Sequence, residues 1–121
     1  MEDSMYFITG GRCSGKRDYV RSRFGLEPKN IFDGDFSGAV YGLHSYVKRL
    51  TEEGADVSAR VKELVTSGVK VIISDEVGCG IVPADEFERR WRDNAGAASQ
   101  TAAEYAEGVI RVVCGIGVRL K

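Results

Sequence analysis

The chain has 121 residues, 43% hydrophobic and 29% charged, with a formal net charge of −1. That length predicts one domain, 1–121, with its own core, and the near-neutral charge argues against a general nucleic-acid or membrane-surface binder. No apolar stretch approaches the roughly 20 residues of a bilayer span, and the acidic start Met1-Glu2-Asp3-Ser4 lacks a secretory pattern, so a cytoplasmic location is expected.

The apolar run Met5-Tyr6-Phe7-Ile8 predicts a first strand over residues 4–9. It leads into Thr9-Gly10-Gly11-Arg12-Cys13-Ser14-Gly15-Lys16, a G-x-x-x-x-G-K pattern, and a helix is expected from Lys16 to Phe24. Glycines let such a loop turn its N–H groups inward around phosphate oxygens, and the helix N-terminus adds its positive dipole end. Lys16 would reach the terminal phosphates as a point charge. The expected nucleotide-binding residues are Gly10, Gly11, Arg12, Cys13, Ser14, Gly15, Lys16 and Arg17. With 15 glycines in the chain the pattern alone is weak, and its strand–loop–helix context carries the reading; the rival is a glycine-rich turn without a ligand. Arg17 stands where a Ser or Thr hydroxyl normally holds Mg²⁺. The expected ligand is therefore a nucleotide, with Mg²⁺ dependence weakened.

Gly25 and Pro28 stop the first helix. Asn30-Ile31-Phe32-Asp33 predicts a short second strand. Asp33 and Asp35 flank Gly34 in the next turn, where they serve either a site or Asx-turn chemistry. Val40, Leu43, Val47 and Leu50 recur at three and four residues and predict a helix from Ser37 to Glu53. Val57, Val61, Leu64 and Val65 predict another from Val57 to Thr66. Val69 to Ser74 reads as a central parallel strand, followed by a loop from Asp75 to Pro83. A long helix is expected from Ala84 to Glu107, bent at Gly96, with Phe87 and Trp91 in the core. Arg89, Arg90 and Arg92 alternate with Glu86, Glu88 and Asp93 on a solvated face. Val109 to Cys114 reads as a buried strand and Val118 to Leu120 as a last short segment. This order predicts an α/β fold of three layers, P-loop NTPase-like, with a mostly parallel sheet and helices on both faces.

Ligands of such sheets bind outside the carboxyl ends of the strands. Asp75 and Glu76 end the central strand there, and either carboxylate is a candidate Mg²⁺ ligand or base. Arg12 and Arg17 would add positive charge around a polyphosphate. Cys13, Cys79 and Cys114 are expected to be reduced thiols. His44 is the only histidine, and a lone helical histidine is more often structural than catalytic.

Several segments together resemble the bifunctional adenosylcobinamide kinase / adenosylcobinamide-phosphate guanylyltransferase family. These are the phosphate loop, Glu76-Val77-Gly78-Cys79-Gly80-Ile81-Val82-Pro83, the run from Phe87 through Trp91-Arg92-Asp93 to Gly96, and the terminal Gly115-Ile116-Gly117-Val118-Arg119-Leu120-Lys121. The resemblance implies ATP or GTP binding, phosphorylation of the aminopropanol hydroxyl of adenosylcobinamide, and GMP transfer from GTP through a histidine-linked intermediate. On this resemblance His44 matches the nucleophile, Glu76 positions Mg²⁺, water or nucleotide, a corrinoid is a further partner, and the protein is a homo-oligomer. The chain departs from the family at Arg17 and in its shortened middle, where a second carboxylate-bearing strand is expected to be missing. A nucleotide-binding sensor or partner subunit without transfer activity is the rival.

Overall fold

The structure is a computed structural model that describes residues 4–76 and 85–121. Six strands among them form one sheet: β1 (Tyr6–Gly10), β2 (Lys29–Asn30), β3 (Ala39–Tyr41), β4 (Val71–Asp75), β5 (Gly108–Val113) and β6 (Ile116–Arg119), in the spatial order β2-β3-β4-β1-β5-β6. All neighbouring strands run parallel except the β5–β6 hairpin.

The sheet forms because successive side chains of its inner strands are both buried, on opposite faces. Phe7, Val40, Ile72 and Val109 enter one cluster, together with Leu43 and Val47 of α2 (Leu43–Glu52), Val61 and Leu64 of α3 (Val57–Val65) and Ala95, Ala98 and Ala102 of α4 (Glu86–Tyr105). Ile8, Ala39, Val71, Ile73, Ile110 and Val112 face the other way, onto Val20, Tyr19 and Phe24 of α1 (Lys16–Phe24). The result is the expected three-layer α/β arrangement. Asp56 and Asp85 cap α3 and α4 by accepting the backbone N–H of Ala59 and Phe87.

Two expected elements are corrected. The helix predicted from Ser37 begins only at Leu43, because Ala39–Tyr41 is strand β3, paired with β4. Ala39 and Val40 are adjacent and both fully buried, on opposite faces, which a strand permits and a one-faced helix does not. The second strand is confined to Lys29–Asn30; Ile31–Asp33 is a 3-10 turn capped by the Asn30 side chain, which accepts the Phe32 N–H at 2.9 Å. The last strand is longer than expected, Ile116–Arg119. The long helix runs uninterrupted across Gly96. Trp91 packs half-buried against the core, and Phe87 is half-buried at the helix start. Among the described residues no helix is long and apolar enough to cross a membrane.

Candidate active site

The parallel register sets Gly10, the last residue of β1, beside Asp75, the last residue of β4. The chain leaves β1 at Gly10, turns through residues 11–15 and enters α1 at Lys16. A side chain at position 10 does not fit: a Cβ there would lie 2.5 Å from the Val112 carbonyl oxygen. The loop is closed on itself by Ser14 N–H donating to Gly11 O at 3.2 Å.

Lys16 is 6% exposed and folds back over this loop. Its Nζ donates to Gly11 O at 2.6 Å and forms an ion pair with Asp75 Oδ1 at 2.7 Å, with Ser14 Oγ at 3.5 Å. Asp75 also holds His44. Its Oδ2 lies 3.3 Å from His44 Nε2, and its backbone N–H donates to His44 Nδ1 at 3.2 Å. A backbone N–H can only donate, so Nδ1 is the unprotonated nitrogen and Nε2–H faces the carboxylate. Burial pushes the His44 pKa below its ordinary value and Lys16 lowers it further, against an opposing effect of Asp75. The neutral imidazole thus has both nitrogens engaged with Asp75. Trp91 Nε1–H donates to the backbone O of His44 at 3.0 Å, which ties the start of α2 to α4.

In front of the loop lies a cavity of about 640 Å³. Arg12, Cys13, Ser14, Gly15, Lys16 and Arg17 line one side; Asn30, Phe32, Tyr41, His44, Ser45 and Asp75 line the other. Arg17 leans into this space, its guanidinium 4.5 Å from the centre of the Tyr41 ring. The cavity lining thus combines a helix N-terminus, one buried ammonium and the guanidinium groups of Arg12, Arg17 and Arg21, donors suited to an anion.

Asp75 and Glu76, adjacent in sequence, diverge in space. Asp75 joins the loop and His44. Glu76 accepts Arg111 Nε–H at 3.0 Å and lines a smaller recess of about 320 Å³ between the sheet edge and α4, with Thr9, Ser99 and Gln100; Asp75 borders this recess as well as the main cavity. Of the two, Asp75 is the one beside the phosphate loop. Among the described residues no three His, Cys, Asp or Glu gather as a metal centre. A Mg²⁺ ion at this site would take one carboxylate from the protein, Asp75, and complete its shell from phosphates and water, as this ion commonly does.

Asp33 and Asp35 line neither cavity. Asp35 instead pairs with Lys29 at 2.6 Å and accepts the Ser37 N–H at 3.0 Å, which is the Asx-turn alternative. Cys13 and Cys114 are free, exposed thiols. Cys79 and the rest of the signature loop, residues 77–84, lie outside the described residues. The middle of the chain does hold a strand, β3, but it bears no carboxylate: it runs Ala39–Tyr41 and is followed by Gly42. The cavity residues that sequence reasoning missed, Tyr41 and Ser45 above all, follow from that misread segment. Gly38 and Gly42, which bracket Ala39–Tyr41, are the signal that could have revealed the strand.

A family model described as cobinamide kinase / cobinamide phosphate guanyltransferase matches residues 39–120, from β3 through β6. The chain belongs to this family. The curated relatives include the bifunctional adenosylcobalamin biosynthesis protein CobU of Salmonella typhimurium, 47% identical over 51 residues, which are 42% of this chain and 28% of the relative. The CobU protein of Escherichia coli is 37% identical over 70 residues, 54% of this chain and 39% of its own length. CobP of Pseudomonas aeruginosa is 41% identical over 51 residues, 42% of this chain and 30% of its own length. The chain thus spans 28–39% of the length of the curated relatives it matches. The family match begins at Ala39, so the phosphate loop rests on its own sequence pattern and geometry.

Proposed function

We propose that this protein binds ATP or GTP in the cavity before residues 10–17 and transfers the terminal phosphoryl group to a corrinoid acceptor, the kinase reaction of cobinamide kinase family members. The observation that carries this reading is the buried Lys16 ammonium, held at the mouth of a glycine loop by Asp75 at 2.7 Å. When phosphates enter, Lys16 exchanges that carboxylate for phosphate oxygens. Asp75, freed of its cation, then takes the proton of an acceptor hydroxyl or holds Mg²⁺. Positioning and charge neutralisation supply most of the rate. The family resemblance extends the proposal to a cytoplasmic homo-oligomer.

Arg17 sets the metal requirement. A guanidinium neutralises phosphate charge but cannot coordinate Mg²⁺, and its place over Tyr41 keeps it at the cavity. Calorimetric titration with ATP and with GTP should show binding by the wild type both with and without Mg²⁺. Arg17→Ser should bind more weakly without Mg²⁺ and regain affinity when the ion is added. Equal Mg²⁺ dependence in the two forms would remove this role, and absence of binding by the wild type would remove the whole reading.

The proposal stops at the kinase step and leaves out guanylyl transfer because of the state of His44. Nucleophilic attack needs a free imidazole lone pair, and Nδ1 spends its own on the Asp75 N–H. His44 in this conformation positions Asp75 instead. Incubation with α-labelled GTP should therefore leave no acid-labile label on the wild-type protein, and His44→Asn should keep nucleotide affinity while losing about tenfold in turnover, less than the roughly 10²-fold that outright loss of a positioned base costs. A label on the wild type that disappears in His44→Asn would instead assign the nucleophile to His44.

A further inference from the structure

The terminal Gly115-Ile116-Gly117 segment has so far no role in the site. It belongs to the β5–β6 hairpin, whose two-residue turn places Cys114 at φ 50° and Gly115 at φ 78°. Positive φ at both central residues is the type I′ geometry, which matches the twist of the flanking strands. Little of this turn is buried: Cys114, Gly115 and Ile116 are all exposed. Its contacts point instead to the phosphate loop. Gly115 N–H donates to Ser14 O at 2.8 Å. A Cβ on Gly15 would lie 3.3 Å from Gly115 Cα, and one on Gly117 would lie 2.5 Å from the Tyr19 ring of α1. The hairpin is thus fitted against both the loop and the helix that the loop opens.

The hydrogen bond has a directional consequence. In a trans peptide the C=O and the following N–H point in opposite directions. Gly115 draws the Ser14 carbonyl toward the hairpin, so the Gly15 N–H is turned away from it, and Ser14 and Gly15 both line the cavity. An inward N–H at that point is what a phosphate oxygen needs.

We propose that the β5–β6 turn is a positioning element for the phosphate-binding loop: the Gly115 N–H fixes the Ser14–Gly15 peptide so that the Gly15 N–H faces a bound polyphosphate. The inference rests on the nucleotide-binding reading of the loop. Gly115 is a positioning residue that touches no ligand, and the left-handed turn at residues 114 and 115 sets its donor in place.

Cys114 makes a direct test practical. A thioester of residues 1–113 is ligated at Cys114 to a peptide of residues 114–121 that carries glycolate in place of Gly115. The ester oxygen deletes only that N–H; an all-amide ligation product is the control. The ester protein should bind ATP, GTP and inorganic pyrophosphate roughly three- to tenfold more weakly than the control, the range expected for one neutral hydrogen bond. Its unfolding midpoint should stay close to the control's. Gly115→Ala, which strains the left-handed position, should weaken pyrophosphate binding in the same way. Adding Cys114→Asn, a residue favoured in this turn, should restore part of the loss. A folded ester protein with unchanged affinity overturns the turn's role and leaves the nucleotide reading standing. An ester protein that fails to fold also overturns it, since the bond would then serve folding and not the loop. A control that binds no nucleotide removes the nucleotide reading, and this inference with it.

Discussion

Lys16→Ala is expected to lose at least tenfold in affinity for ATP and GTP while keeping its fold. Under the proposed reading the ammonium faces the phosphate oxygens, and charge-assisted contacts of this kind contribute about 1.5–3 kcal/mol each. Its present partners, Gly11 O and Asp75 Oδ1, are the groups that phosphate oxygens would displace or join. Asp75 remains partly solvated at 29% exposure, so losing its ion pair costs little stability. Calorimetric titration measures the affinity, and thermal unfolding separates a binding defect from a folding defect. Affinity equal to the wild type's would mean that the cavity holds something other than polyphosphate.

Asp75→Asn should have the opposite pattern. Lys16 would then leave Gly11 O and Ser14 Oγ without breaking an ion pair, so nucleotide affinity in the absence of Mg²⁺ should hold or rise. Turnover should fall by about 10²-fold or more, the loss typical when a positioned base is removed. The same variant should bind nucleotide with little gain from Mg²⁺, because the carboxylate that contacts Lys16 is gone. Steady-state kinetics and titrations at two Mg²⁺ concentrations check both halves. Unchanged turnover would exclude Asp75 from the chemistry.

The legible parts of this protein were local in sequence. The loop between β1 and α1 is a contiguous pattern with its context on either side, so its strand, turn and helix could be placed almost to the residue. The buried central strands were equally readable from Phe7–Ile8 and Val71–Ile73. The segment from Ser37 to Tyr41 misled because Val40 stands three residues before Leu43. That spacing continued the helical pattern of Val47 and Leu50 backwards into a strand buried on both faces. The sequence marks Lys16, His44 and Asp75 as candidates one by one, but not how they meet. His44 and Asp75 are 31 positions apart and meet only because β3 lies beside β4, which brings the start of α2 to the end of β4. Arg17 over Tyr41 depends on the same placement. Adjacency in sequence also hid the divergence of Asp75 from Glu76, since successive residues at a strand end point to opposite sides.

The most direct measurement is transfer of label from γ-labelled ATP or GTP to adenosylcobinamide by the wild-type protein. Labelled adenosylcobinamide phosphate should form at low as well as high Mg²⁺, with no label on the protein and about 10²-fold less product, or lower, from Asp75→Asn. Nucleotide binding without any transfer to the corrinoid, or transfer undiminished in Asp75→Asn, would contradict it.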